Sequence, residues 1–495
     1  MKKSLLSLSI AALLFSGFAN AAKTSLLFNK EWTYSHLTPN FTSEISAFDA
    51  ATSSIWVGGV NGVDILDLAT GSSKGFIDLS PFGNINSVAI HNGVAAFAIE
   101  NFTRTENGFV QFYNTSSNSL IRQVSVGALP DMVTFTPDGT KLLVANEGTP
   151  DVYGTEIGSN TPKTFGAAPN DPVGSVTIIN TANYTKTTAT LNGVPTSGSN
   201  LRANVGMDYE PEYIAVNQDG TKAFVILQEH NGMAVLDINS SSFTQIVGLG
   251  VKDFSAPGNE IDPSNQGGVN FGSFNVKGLY MPDGVVSFEK NGQTYLVMAN
   301  EGDYREDDGD RERAEDAFGT ARPLGRLQIS TTDSTASDLF VAGGRSFSIR
   351  DENGNIVYDS GDILDKAAFA AGIYNDGRSD DKGVEPEGVT LLDLNGRNYA
   401  FIGLERTTKG AVAVFDITDP ANSSFLDLIV TDGDVSPEGI QAFVFGGKSY
   451  LSIANEVSNT TTLYSIAAVP EPETYAMLLA GLAMIGFAAK RKKQA

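Results

Sequence analysis

Ten carboxylates recur in this chain at two places of one repeated phrase. The clearest copies read PDMVTFTPDGTKLLVANEG (130–148), PEYIAVNQDGTKAFVILQE (211–229), PDGVVSFEKNGQTYLVMANEG (282–302), PEGVTLLDLNGRNYAFIGLE (386–405) and PEGIQAFVFGGKSYLSIANE (437–456). An acid follows each opening proline: Asp131, Glu212, Asp283, Glu387 and Glu438. A glutamate closes each copy 16 to 18 residues later: Glu147, Glu229, Glu301, Glu405 and Glu456. Hard cations take six to eight oxygen ligands, and carboxylates converging from several repeats would supply them. The ten are therefore candidate metal ligands, and a divalent cation, calcium first, is the expected cofactor. The competing use of such acids is to accept backbone N–H bonds and tie one repeat to the next.

The elements that position these acids are short strands. Within each copy an alternating apolar run, a Gly turn and a second apolar run follow one another, as half-buried strands joined by tight hairpins require. A third run comes after the closing glutamate: GSVTIINT (174–181), GMAVLDIN (232–239), GRLQIST (325–331), GAVAVFDIT (410–418) and TTLYSI (461–466). A fourth often follows, as in TKTTATL (185–191), FTQIVGL (243–249) and FLDLIV (425–430). Four antiparallel strands per unit is the pattern of a β-propeller blade. Two weaker copies, 45–69 without the acids and 85–114 with Glu100, raise the count to seven. The expected fold is all-β, a seven-bladed β-propeller over 22–468. Its last unit has no room for a fourth strand. The segment SLLFNKEWTYS (25–35) is expected to complete it and close the ring.

In such a blade the first strand begins and the second ends on one face, so both sets of acids share that face. Four long insertions, 148–173, 250–280, 302–323 and 343–383, leave on the same side, where ligand sites are usually built. EGDYREDDGDRERAED (301–316) mixes nine acids with three arginines but lacks calcium-loop spacing. RSDDKGVEPEG (378–388) leads straight into a repeat acid. These insertions make Asp303, Arg326, Arg378, Asp380, Asp381, Lys382 and Glu385 candidate ligand-binding residues.

Residues 1–21 have the form of a secretory signal peptide: Lys2-Lys3, an apolar core, and Ala19-Asn20-Ala21 as a small-x-small cleavage site. The end (469–495) carries Pro470-Glu471-Pro472, an apolar run of 15 residues and the basic cluster Lys490-Arg491-Lys492-Lys493. The run is shorter than a comfortable spanning helix, and the basic end should stay cytoplasmic. A transient inner-membrane association through this helix is expected before processing. Net charge is −24, and loss of the six terminal cations takes it to −30. Nucleic acid is excluded as a partner by such a surface. Cysteine is absent, and the three histidines, His36, His91 and His230, are too scattered for a zinc site. With no G-x-S-x-G elbow and no P-loop, no nucleophile–base pair can be named.

The tail resembles the PEP-CTERM sorting signal of Gram-negative bacteria, which implies processing by an exosortase and delivery to the cell surface. Together with the repeats, RSDDKGVEPEGV, NEGDYRED (300–307) and GGRSFSIRDENGNIVYDSGD (343–362) make the mature chain similar to the choice-of-anchor I family. That resemblance implies a surface propeller with an anchoring tail. Arg350 departs from it, standing where the resemblance leads one to expect a tryptophan at a surface contact. The E-P-E-G element is also similar to that of esterase-like phytase propellers. Two functions follow. One is a non-catalytic surface module binding exopolysaccharide or another surface protein. The other is a calcium-dependent phosphoesterase, of alkaline phosphatase or phytase type, working from the same face.

Overall fold

The computed structural model describes residues 26–150, 172–202, 209–304 and 311–469. The signal-peptide and sorting-tail segments 1–21 and 470–495, the acid run 305–310 and most of the 148–173 insertion lie outside them. The chain divides into a unit of the two ends (Met1–Leu27 with Ala467–Ala495) and a body, Phe28–Ile466, which holds the site.

Among the described residues the repeats fold into seven sheets of four or five strands. The third, Pro130–Phe135, Lys141–Asn146, Ser175–Asn180 and Lys186–Thr190, pairs each strand antiparallel with the next. Asp138 takes hydrogen bonds from Thr136 and Thr140, tying off the Asp-Gly turn between the first two strands. The seventh sheet is built from both ends of the body, with Leu26–Ser35 beside Thr460–Ala468. There Thr33 bonds Thr462 at 2.8 Å, and buried His36 bridges Asp64 (2.6 Å) and Thr461 (2.8 Å). The first strands of successive sheets lie side by side, and Pro437–Phe445 of the seventh lies beside Ile45–Asp49 of the first. The fold is therefore all-β and of propeller type.

The core is laid down between sheets rather than inside one. Trp56, Val63 and Ile65 of the first sheet pack on Ile85, Val88 and Phe97 of the second, and Phe347 and Ile349 of the fifth pack on Ala400, Ile402 and Phe415 of the sixth. Middle strands such as Ser54–Gly59 are buried along their whole length, so they present side chains to the sheets on both sides.

The fifth sheet corrects the strand assignment made from sequence. GRLQIST is not its third strand. Gln328–Ser330 instead pairs antiparallel with Arg311–Arg313 in a separate two-stranded sheet. The third and fourth strands are Ser346–Asp351 and Ile356–Asp359, inside the segment expected to be an insertion. A compact excursion with its own core of Phe254, Ile261, Val276, Leu327, Ile329 and Val341 intervenes. Periodicity cannot separate these runs, because both alternate. Arg350 is likewise not a surface residue. Its guanidinium is buried 4.5 Å over the Tyr280 ring and donates to the Gly354 carbonyl at 2.7 Å, a planar group in the place of an expected indole.

Candidate functional site

The Pro-acid pair has a backbone reason. In the third, sixth and seventh sheets the ladder slips at the start of the first strand, between Pro130 and Val133, Pro386 and Val389, and Pro437 and Ile440. A bulge there frees the acid from strand alternation and re-aims its side chain. The residue before the proline sits at positive φ in Leu129 (44°), Met281 (41°), Glu385 (51°) and Ser436 (63°), a strained conformation for a residue with a Cβ. The glycine after the acid is a packing requirement in three cases. A Cβ on Gly284 would collide with the Glu387 carbonyl oxygen, one on Gly388 with that of Glu438, and one on Gly439 with that of Glu44. Each acid is thus presented where the next sheet comes closest.

The acids meet in a cavity of about 500 Å³, lined among the described residues by thirteen carboxylates and four basic side chains. Nine of the ten repeat acids form its wall: Asp131, Glu147, Glu212, Asp283, Glu301, Glu387, Glu405, Glu438 and Glu456. Glu229 is buried beside them. One oxygen each from Glu147, Glu212 and Glu229 lies within 4.8 Å of the others, and the same holds for Glu301, Glu385 and Glu405. The weak first copy is not acid-free after all. Glu44 lines the cavity and accepts from Thr42 Oγ1 at 2.6 Å. No proline precedes it, so the Pro-acid signature misses it.

The insertion residues divide. Asp303, Arg378, Asp381, Lys382 and Glu385 reach the wall. Arg326 and Asp380 do not. Asp380 pairs with Arg313 and, at 3.5 Å, with Arg326, which also binds Glu315 at 3.1 Å, so both brace the excursion's own fold. Lys382 is 8% exposed and sits 2.6 Å from Glu301 Oε1, 3.1 Å from Glu385 Oε2 and 3.8 Å from Asp303. Arg378 binds Glu385 at 2.6 Å and Asp381 at 3.0 Å. Sequence reasoning missed Arg406, which binds Glu405 at 2.8 Å and had only its adjacency to a repeat glutamate as a signal. It also missed Arg345. That buried guanidinium holds the Ser379 and Asp381 carbonyls at 2.7 and 2.8 Å and so places the RSDDKG turn over the cavity.

The crowd of acids has a common electrostatic signature. Burial, then the charge of Glu100, lifts Asp131 to about 7. Burial lifts Asp283 and Glu44 to about 7, with Asp131 and Glu456 respectively adding to it. Glu301 rises to about 8 through burial although Lys382 pulls the other way. Glu147, Glu212, Glu387 and Glu438 stand well above the usual range, burial first and neighbouring carboxylates next. Glu385 alone goes down. Burial opposes its charge, but Lys382 and Arg378 outweigh burial.

Residues 44–420 match the choice-of-anchor I domain, and residues 468–492 match the PEP-CTERM protein-sorting motif. The chain is 25% identical to the mesenchyme-specific cell surface glycoprotein of Strongylocentrotus purpuratus, over 54% of this chain and 41% of that protein. It is 29% identical to Gigasin-3a of Magallana gigas, over 21% and 44%. It therefore spans about two fifths of the length of these relatives. Among solved structures it is similar to Kuenenia stuttgartiensis hydrazine synthase at 12% identity and a TM-score of 0.51, covering 88% of this chain and 98% of that one. At that identity the likeness is one of fold alone.

Proposed function

The chain belongs to the choice-of-anchor I family, and on that premise we propose that it is a surface-sorted binding module whose acidic cavity takes up a divalent cation. The PEP-CTERM motif implies exosortase-type processing and marks the protein as exported and surface-sorted. Among the described residues no helix is long and apolar enough to cross a membrane. We read the seven sheets as seven blades of a closed ring, with Leu26–Ser35 completing the last. The run of first strands from the first sheet round to the seventh and back supports this reading.

The observation carrying the cation reading is the pair of glutamate triads. One already holds a cation, because Lys382 lies within ion-pair distance of Glu301 and Glu385. In the other, Glu212 Oε2 is buried with no hydrogen-bond partner among the described residues. Oxygen-only clusters suit calcium. Calorimetric titration of the mature domain with calcium is the test, with binding expected in the micromolar to millimolar range. Absence of binding at millimolar calcium would sink the reading.

The molecule bound at the mouth is then an exopolysaccharide or another surface protein. The cell-surface designation of the sea-urchin relative fits that reading by analogy. A calcium-dependent phosphoric-ester hydrolase on the same face is the second reading, favoured by the basic side chains beside the carboxylates. Hydrolysis of a generic phosphomonoester or of phytate with calcium present would support it over the binding module.

A further inference from the structure

We infer that the cavity has an anion-binding half, where Arg311, Arg378 and Arg406 hold an oxyanion (carboxylate, sulfate or phosphate) of the bound molecule beside the cation. This deepens the cation reading and rests on it.

All four basic groups of the wall belong to the excursion, to the RSDDKG turn or to the residue after Glu405. The part lined by Glu44, Asp131, Glu147 and Glu212 has none in its lining among the described residues, and Arg104, which favours the charge of Asp131, stands outside that lining. The cavity is therefore polar in the electrical sense, acid on one side and mixed on the other.

Self-neutralisation occupies Lys382 fully and the arginines only in part. Lys382 is enclosed and held by three carboxylates. Arg311 and Arg406 are each 41% exposed, and among the described residues the acid paired with Arg311, Asp381, is 3.8 Å away, too far for a hydrogen bond. Arg406 spends one Nη on Glu405, while its Nε, 3.9 Å from Glu385 Oε2, is buried with no hydrogen-bond partner among the described residues. Arg378 uses Nε and Nη2 on its own acids. The guanidiniums that line the cavity thus keep donors not spent on their own acids, in the planar fork geometry that grips oxyanions. Exposed ion pairs contribute little, so a ligand displaces them at low cost. An anion alone would meet thirteen carboxylates. A divalent cation on the acid side offsets that repulsion and bridges to the ligand, so anion binding should require the metal.

The experiment is calorimetric titration of the mature domain with sodium sulfate, glucuronate and methyl phosphate, each with and without saturating calcium, after a titration with calcium alone. At least one oxyanion should bind, only with calcium present, and the three arms tell which chemistry is preferred. Arg311→Ala and Arg406→Ala should each weaken that binding about tenfold, while calcium alone binds them at least as tightly as the parent. Arg406→Lys keeps the charge, loses the fork and should fall between. Calcium binding without any oxyanion binding, or oxyanion binding unchanged in the arginine variants, overturns the inference and leaves the cation reading standing. Failure of calcium itself to bind overturns both.

Discussion

At the scale of single residues the cavity carries strain from charge that the fold tolerates because protons share the site. Asp131, Asp283 and Glu44 near 7 and Glu301 near 8 hold protons in the folded state that they would release when unfolded. The native protein therefore binds more protons than the unfolded chain between about pH 4.5 and pH 8. Without divalent cation its stability must fall as pH rises through that window. Thermal melts in chelator should show a Tm higher at pH 5 than at pH 8, with calcium flattening the slope. A chelated protein whose Tm rises toward pH 8 would contradict this. Lys382 works in the opposite sense. Its ammonium neutralises Glu301 and Glu385, and Lys382→Met should cost roughly 3–5 kcal/mol in denaturant melts at pH 8 by leaving buried charge unpaired. These charge relations were partly legible. The recurring acids and Lys382 could be named from spacing, but not Arg345 and Arg406, because no period marks them.

At the scale of elements, the bulge at the start of the first strand in the third, sixth and seventh sheets is the device that turns a sequence motif into a site. Proline ends the hydrogen-bonding need at the strand's first residue, the acid leaves the ladder, and glycine lets the next sheet approach. Gly439→Ala should then be more disruptive than its exposure suggests. It drives a methyl into the Glu44 carbonyl, where Gly439 N–H now donates at 2.8 Å. A loss of about 1–3 kcal/mol is expected by chemical denaturation. Gly396→Ala, which meets no neighbouring atom but sits at positive φ in a hairpin, serves as the comparison for backbone strain alone. The strand grammar of the other repeats was readable because period-two alternation and Gly turns mark it. The fifth repeat misled because an excursion interposed an alternating run that pairs elsewhere.

At the scale of the whole molecule, the strand Leu26–Ser35 and the C-terminal strands share one sheet, and the buried His36 joins Asp64 of the first sheet to Thr461 of the last. Removing residues 26–35 should therefore unsettle the entire body rather than fray one end. A lowered Tm with a broadened transition is expected, and an unchanged melt would argue against closure through this strand. Sorting is separable from folding. Deleting 468–492 should leave the melting of the body unchanged and deplete the protein from the surface fraction of the producing cells.

Sequence by itself determined the repeat, its strand order outside the fifth sheet and the shared direction of its acids, because each follows from local chemistry: alternation, turn residues and a proline before a carboxylate. It also carried the family and the sorting motif in contiguous stretches. Only the tertiary structure decided which acids face one another, that Lys382 fills one glutamate triad, and that arginines from remote segments line one side of the cavity. Those relations join residues dozens to hundreds of positions apart, and they exist only once the sheets are brought side by side.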